Sequence, residues 1–317
     1  MPNDTQSDHS PVLCVLLFLA ALGSGRATVW GAEPGAPPLP AVLTPQLVVT
    51  NITFAEGPAF DPEGNLFFVN YTRNGIIGRR TPSGDVSVWL ALPDALQPDG
   101  THRHAFPFGL KVDGHSNLLV ADYGGRRVLR ISSAKQVETL ADSFAGKPFN
   151  NPNDLCLDRA GNLYFTDPQG EDKGSVGAIY RYSARGQLAR LHTGLGYPNG
   201  LVVSPDQKRL YVAATWTRSI VVFDLAADGT LSNQRMLHQF PTPTVDGLCL
   251  DEFGRIWVAR LNQQTVDVLS PEGTPLGSYP GGGDRVTNLA WWERSLYVTV
   301  AGQHAIYRLD VGCRGAQ

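Results

Sequence analysis

The sequence predicts an all-β protein, a six-bladed β-propeller with four antiparallel strands per blade whose ring is closed by an N-terminal strand. Three observations predict it. A short apolar strand, a tight Asp/Gly turn and a second apolar strand recur six times, with first residues at 56, 108, 153, 199, 246 and 287. Those starts lie 41 to 52 residues apart, the period of a four-stranded propeller blade. The last copy leaves room for only three strands, near 287–292, 296–300 and 305–309, before the chain ends. The apolar stretch 46–50 is the natural fourth, because a closed ring has no exposed sheet edges.

Taken in order, the chain begins with an apolar run at 12–22 followed by Gly25 and Ala27. This reads as a signal peptide over residues 1–27 and predicts a secreted or periplasmic protein. The run is too short to span a bilayer as a helix, so no membrane insertion is expected after its removal. Residues 28–41 have the Pro and Gly content of a poorly ordered linker. Residues 42–312 then form one propeller domain, read as a monomer, because radial repeats build one closed body from a long chain.

The first copy is Glu56-Gly57-Pro58-Ala59-Phe60-Asp61, and the best preserved is Asp246-Gly247-Leu248-Cys249-Leu250-Asp251 followed by Glu252-Phe253-Gly254-Arg255-Ile256-Trp257-Val258. Links between first and second strands are short and turn-like, whereas the segments 93–107, 143–152 and 168–177 are long. The chain reverses at every strand, so the long segments share one face, which is the expected working face. Of the four cysteines, Cys14 belongs to the signal, Cys156 and Cys249 read as small core residues and Cys313 as unpaired. Asn51 and Asn70 each begin a glycosylation sequon.

With 42% apolar residues and a net charge of −3, nothing suggests a nucleic-acid partner, since such binding needs concentrated Lys and Arg. The expected partner is a small molecule. The six first residues are Glu56, Phe108, Asn153, Asn199, Asp246 and Thr287. Glu56, Asn153, Asn199 and Asp246 thus bring two carboxylates and two carboxamides to one axis. Four oxygen donors suit one divalent cation, Ca²⁺ first, with Mg²⁺, Mn²⁺ or Zn²⁺ as alternatives. Asp246 is the candidate general base, and Tyr123, Tyr197 and Trp216 the candidate walls of a pocket. His104 and His102 lie on the longest insertion, His104 being placed with the substrate-binding residues. There is no Gly-x-Ser-x-Gly elbow, which argues against a serine hydrolase.

The phrases Phe-Ala-Glu56-Gly-Pro, Pro-Asn153-Asp-Leu with Leu-Tyr-Phe-Thr-Asp167-Pro, Tyr-Pro-Asn199-Gly-Leu, and Val-Asp246-Gly-Leu-Cys-Leu-Asp resemble the gluconolactonase/regucalcin family of six-bladed propeller lactonases, closest to the bacterial-type gluconolactonases. Paraoxonases and diisopropyl fluorophosphatase are more distant relatives. The resemblance implies that Glu56, Asn199 and Asp246 bind a metal and that Asn153 is a fourth ligand or holds substrate. It implies a metal-dependent lactonase, a carboxylic ester hydrolase, acting on a lactone such as gluconolactone. A related metal-dependent esterase or phosphotriesterase, or a non-catalytic ligand-binding propeller with a structural metal, is the alternative. Asn151 stands where regucalcin-like members carry an arginine that contacts the sugar acid, and is placed with the substrate-binding residues. Phe108 stands where paraoxonases carry a histidine.

Overall fold

The computed structural model describes residues 35–97, 100–168, 177–242 and 244–316, and shows six four-stranded antiparallel sheets. Blade one runs Ile52–Phe60, Leu66–Tyr71, Ile76–Arg80 and Val86–Ala91, and blade two Pro107–Val112, Leu118–Asp122, Arg127–Ile131 and Val137–Ala141. Blade three comprises Leu155–Leu157, Leu163–Asp167, Gly177–Tyr182 and Leu188–Leu195, and blade four Pro198–Val203, Arg209–Ala214, Ser219–Leu225 and Leu231–Gln239. Blade five comprises Leu248–Leu250, Ile256–Arg260, Thr265–Leu269 and Pro275–Pro280. Blade six is Val286–Trp292, Ser295–Val300 and Ala305–Asp310, with Gln46–Val49 as its outer strand. Gln46 pairs with Arg308 and Val49 with Ile306, so the ring closes as the sequence predicts.

Burial follows position in the blade. Second strands such as Leu118–Asp122 and Ile256–Arg260 are buried at every residue, while the outer strand Leu231–Gln239 has a largely exposed middle. The apolar core is accordingly divided into six clusters, one between each pair of neighbouring blades. Trp257, Val298 and Leu309 join blades five and six. Val49, Ile52 and Ile306 make the seam where the two ends of the propeller meet. Burial of apolar side chains between blades is therefore what holds each blade in the ring.

The recurring Asp is explained by the turn it closes. Asp61 Oδ1 accepts the Asn65 amide at 2.8 Å, Asp113 that of Asn117 at 2.9 Å, Asp158 that of Asn162 at 2.8 Å and Asp251 that of Arg255 at 3.0 Å. In blade four Ser204 Oγ accepts the Arg209 amide at 2.9 Å instead. Such side-chain bonds satisfy backbone donors that a short loop would leave open.

Two expectations change. Residues 35–41, part of the stretch that reads as linker, lie against blade five rather than loosely: Arg255 donates to the Pro37 carbonyl at 3.0 Å, Tyr279 to that of Pro40 at 2.7 Å, and Leu39 packs on the core. Asn70 is fully buried with a left-handed φ of 62°, so its sequon is closed to modification in the folded protein, whereas Asn51 is exposed. Residues 1–34, including Cys14 and the stretch that reads as a signal peptide, lie outside the described residues, as does most of the long segment 168–177. Cys156, Cys249 and Cys313 are buried free thiols. Among the described residues no helix is long and apolar enough to cross a membrane.

Candidate active site

The inner strands start around the central axis, and the backbones there are tied to one another. Gly109 N donates to the Asn153 carbonyl at 2.9 Å, Gly200 N to that of Asp246 at 3.2 Å and Gly247 N to that of Thr287 at 2.8 Å. Thr166 Oγ1 donates to the Asn199 carbonyl at 2.8 Å, and Thr287 Oγ1 to that of Ala55 at 2.7 Å. The glycines are required by this approach: a Cβ on Gly247 would sit 2.2 Å from Asn288 Oδ1, and one on Gly109 2.5 Å from Asp154 Oδ1. Register shifts interrupt the inner strands of blades one, two, four and six at this level. Bulges of this kind re-aim side chains near functional sites.

Glu56, Asn153, Asn199 and Asp246 are all buried here. Glu56 Oε2 accepts its neighbour's amide, Gly57 N, at 3.0 Å, and the Asn199 and Asn288 side chains donate toward Asp246 and Glu56 respectively. Burial, reinforced by the charge of Asp154, pushes the Asp246 carboxyl up to about 8. Burial, reinforced by Asp246, raises Glu56 well above the usual carboxylate range. Neither makes an ion pair with Lys, Arg or His among the described residues.

Two polar residues escaped the sequence reading. Asp154 and Asn288 follow the first-residue column by one position, and Asn288 Nδ2 donates to Asp154 Oδ2 at 3.3 Å. Asp154 is also raised by burial, with Lys111 opposing the shift. Their signal was present: the position after each first residue reads Gly57, Gly109, Asp154, Gly200, Gly247 and Asn288. Two of six carry side chains where four have none, so those two occupy the axis behind the carboxylates. Thr287 and Phe108, the remaining column members, contribute no donor. Thr287 Oγ1 is engaged by the Ala55 carbonyl and Thr299, and Phe108 stacks on Tyr123 with ring centres 4.6 Å apart.

The predicted substrate contacts divide. Tyr123 Oη lies 3.3 Å from Tyr197 Oη, and Tyr197 stacks on Trp216 at 5.6 Å. Burial and then Tyr123 push the Tyr197 phenol up, with smaller contributions from the charges of Asp246 and Glu56. Asn151 is engaged in structure: its amide Nδ2 donates to the Tyr123 carbonyl at 3.0 Å and its backbone N to Asp167 Oδ1 at 2.7 Å. His104 does not join the site. Its side chain is 93% exposed and its Nδ1 pairs with Asp94 Oδ2 at 3.0 Å on a rim hairpin, Ala95–Leu96 with His102–Arg103. His102 is exposed on the same hairpin.

The profile of the SMP-30/gluconolactonase/LRE-like region matches residues 45–302. The chain belongs to this family. A gluconolactonase of Zymomonas mobilis is 28% identical over an alignment of 301 residues, covering 86% of this chain and 84% of that one. A diisopropyl-fluorophosphatase of Loligo vulgaris is 26% identical over 249 residues, 71% of this chain and 78% of that one. The solved structure of a Xanthomonas campestris gluconolactonase superposes with a TM-score of 0.74 at 27% identity, covering 85% of this chain and 90% of that one. The regucalcin of Agrobacterium tumefaciens, whose solved structure superposes with a TM-score of 0.72 at 21% identity over 86% of this chain and 95% of that one, is a calcium-binding protein. Among the described residues no three His, Cys, Asp or Glu side chains are grouped as a metal cage, and a cation here must draw on amide oxygens. Asn153 and Asn199 offer them, and the buried, unpaired carboxylates of Glu56 and Asp246 need a positive charge or protons to offset the cost of burial. The residues fit a hard, oxygen-loving cation.

Proposed function

We propose that this protein opens the ring of a lactone by hydrolysis with the help of one divalent cation, Ca²⁺ first among the candidates. The observation that carries the reading is a set of buried carboxylates with no ion-pair partner, meeting two carboxamides on the axis of a propeller whose family includes enzymes named for lactone hydrolysis. Glu56, Asn153, Asn199 and Asp246 would hold the cation, which supplies Lewis acidity at the lactone carbonyl and offsets the charge that grows on its oxygen.

The chain's own groups do the rest. Asp246 accepts a proton from water on one carboxylate oxygen as the water oxygen bonds to the carbonyl carbon, and the ring C–O bond breaks to release the hydroxy acid once a proton returns to the leaving oxygen. Asn199 fixes the Asp246 carboxylate by donating to it. Asp154 and Asn288, bonded to each other, stand next to the pair on the axis. The names of relatives support aldonolactones as the first substrates to try. Similarity to a fluorophosphatase makes a phosphotriester the second.

The test follows acid release from a panel of lactones before and after exhaustive chelation. Turnover that disappears with the metal and returns on adding Ca²⁺ is expected. Turnover surviving verified metal removal sinks the cation, and a protein inert toward every lactone but active on a phosphotriester sinks the lactonase reading. For residues 1–27 we propose export with cleavage after Ala27, and for the propeller a monomer. The mass of the exported chain and its sedimentation would check both.

A further inference from the structure

The first-residue column makes the polar floor of the site, and the residues two positions earlier make its wall. Those residues are Phe54, Phe106, Asn151, Tyr197, Thr244 and Arg285, so blades one, two and four each contribute an aromatic ring. The rings touch. Phe54 lies 6.0 Å from Phe108 and 6.4 Å from Phe106, Phe106 lies 5.0 Å from Phe108, and Phe108 stacks on Tyr123 at 4.6 Å. Tyr123 meets Tyr197 through their hydroxyls, and Tyr197 stacks on Trp216. All are only partly buried and Trp216 is 63% exposed, so a continuous arc of aromatic surface remains open to a ligand. It borders the floor at two places: Phe108 belongs to the column itself, and Tyr197 stands two residues before Asn199 on the same strand entry.

Resting on the lactonase reading, we propose that the preferred substrate is a lactone bearing an apolar or aromatic substituent, which lies along the arc while the ring ester sits over the carboxylates. The polar groups nearest the arc are already engaged, Tyr123 Oη with Tyr197 Oη and Asn151 Nδ2 with the Tyr123 carbonyl. Hydroxyls of a sugar lactone laid on the ring faces would lose water against carbon surface, with only the tyrosine hydroxyl pair and Asn151 at hand to bond them. An apolar substituent instead gains from burial and from stacking, and ligand pockets of mixed character divide their work in this way. Arg285 and Thr244 stand on the other side, across blades five and six.

Three lactones with the same ring size and an alkoxide leaving group separate the cases: δ-valerolactone, its δ-phenyl derivative and glucono-δ-lactone, assayed with the Ca²⁺-loaded protein. The phenyl compound is expected to exceed both others in kcat/KM by about tenfold or more. Trp216→Ala and Phe106→Ala should each lower kcat/KM for the phenyl compound by a larger factor than for δ-valerolactone, and an unchanged circular dichroism spectrum and melting temperature report that the variants are folded. Equal or better turnover of glucono-δ-lactone, or an equal loss on all three substrates in Trp216→Ala, overturns the inference and leaves lactone hydrolysis standing. A protein that turns over none of the three overturns the lactonase reading and this one with it.

Discussion

The two faces of the propeller are built under opposite rules. On one, five blades close the link between first and second strands with the same device, an Asp or Ser side chain bonded to the amide four or five residues on. On the other, the column of first residues holds two acids, two amides, a phenylalanine and a threonine, and only blades three and four present the same side chain. The repeated face keeps the blades alike; the varied face uses their alikeness as a frame on which each blade places a different group. The far end of the axis follows the quieter rule too, with a cavity of about 410 Å³ bordered by Lys111, Cys156, Cys249, Trp291 and Ala316.

Substitutions on the two faces should therefore separate activity from stability. The largest effect is expected from Asp246→Asn, which keeps shape but removes the base: kcat should fall by about 10²–10⁴-fold, with thermal unfolding little changed. Recovery of near-parental turnover at saturating Ca²⁺ in that variant would refute the base. The mirror experiment is Asp251→Ala on the repeated face. Asp251 is fully buried and bonds Arg255 Nε at 2.6 Å and Trp257 Nε1 at 3.0 Å, so its loss strands a buried guanidinium. Denaturant unfolding should show a cost of about 3–5 kcal/mol, while kcat of the folded fraction stays at the parental value.

Asn199→Ala sharpens the comparison within the varied face. It removes a neutral oxygen donor and a partner of Asp246 but no charge, so the Ca²⁺ concentration for half-maximal activity should rise roughly tenfold or more and saturation should restore turnover. A kcat that stays low at saturation would mean that Asn199 serves the chemistry itself. A smaller effect is expected from pH on the cation-free protein. The fold lifts Asp246 from 3.8 to about 8 and raises Glu56 as well, so between those limits the folded chain binds more protons than the unfolded one. The stability contributed by these two groups is then full below about pH 4 and is lost as pH rises toward about 8. Melting temperatures without cation should fall across that window and the increment on adding Ca²⁺ should grow; a flat or opposite trend would refute the placement of unpaired carboxylates. The smallest effect is expected for His104→Ala, within about 0.5 kcal/mol of the parent in stability because its pair with Asp94 is exposed, and without change in kcat.

What the sequence made legible divides along the same line. Repetition exposed the blade count, the closing strand and the four oxygen donors, because equivalent residues in a ring must face one axis. Asp154 and Asn288 were hidden because their column is mostly glycine, and a residue's prominence there depends on how closely backbones pass, which spacing does not record. Loop length located the rim that bears His104 without saying which way the ring points. The Pro-rich residues 35–41 were misjudged for a related reason: their composition disfavours regular structure but leaves their carbonyls free to accept bonds from Arg255 and Tyr279.

The seam in blade six ties residue 46 to residue 308, and this bears on how the chain reaches its native state. Every other blade is assembled from a contiguous stretch, so its strands meet after short loop closures, whereas the sixth must bring together segments separated by nearly the whole domain. Long-range pairing of this kind is slow and comes after local structure. A chain emerging in order from the ribosome keeps an open, five-bladed arc with its first strand unpaired until the last hairpin is available, and the buried carboxylates on the axis are not enclosed before that final step. Ring closure and assembly of the site are thus one event in time.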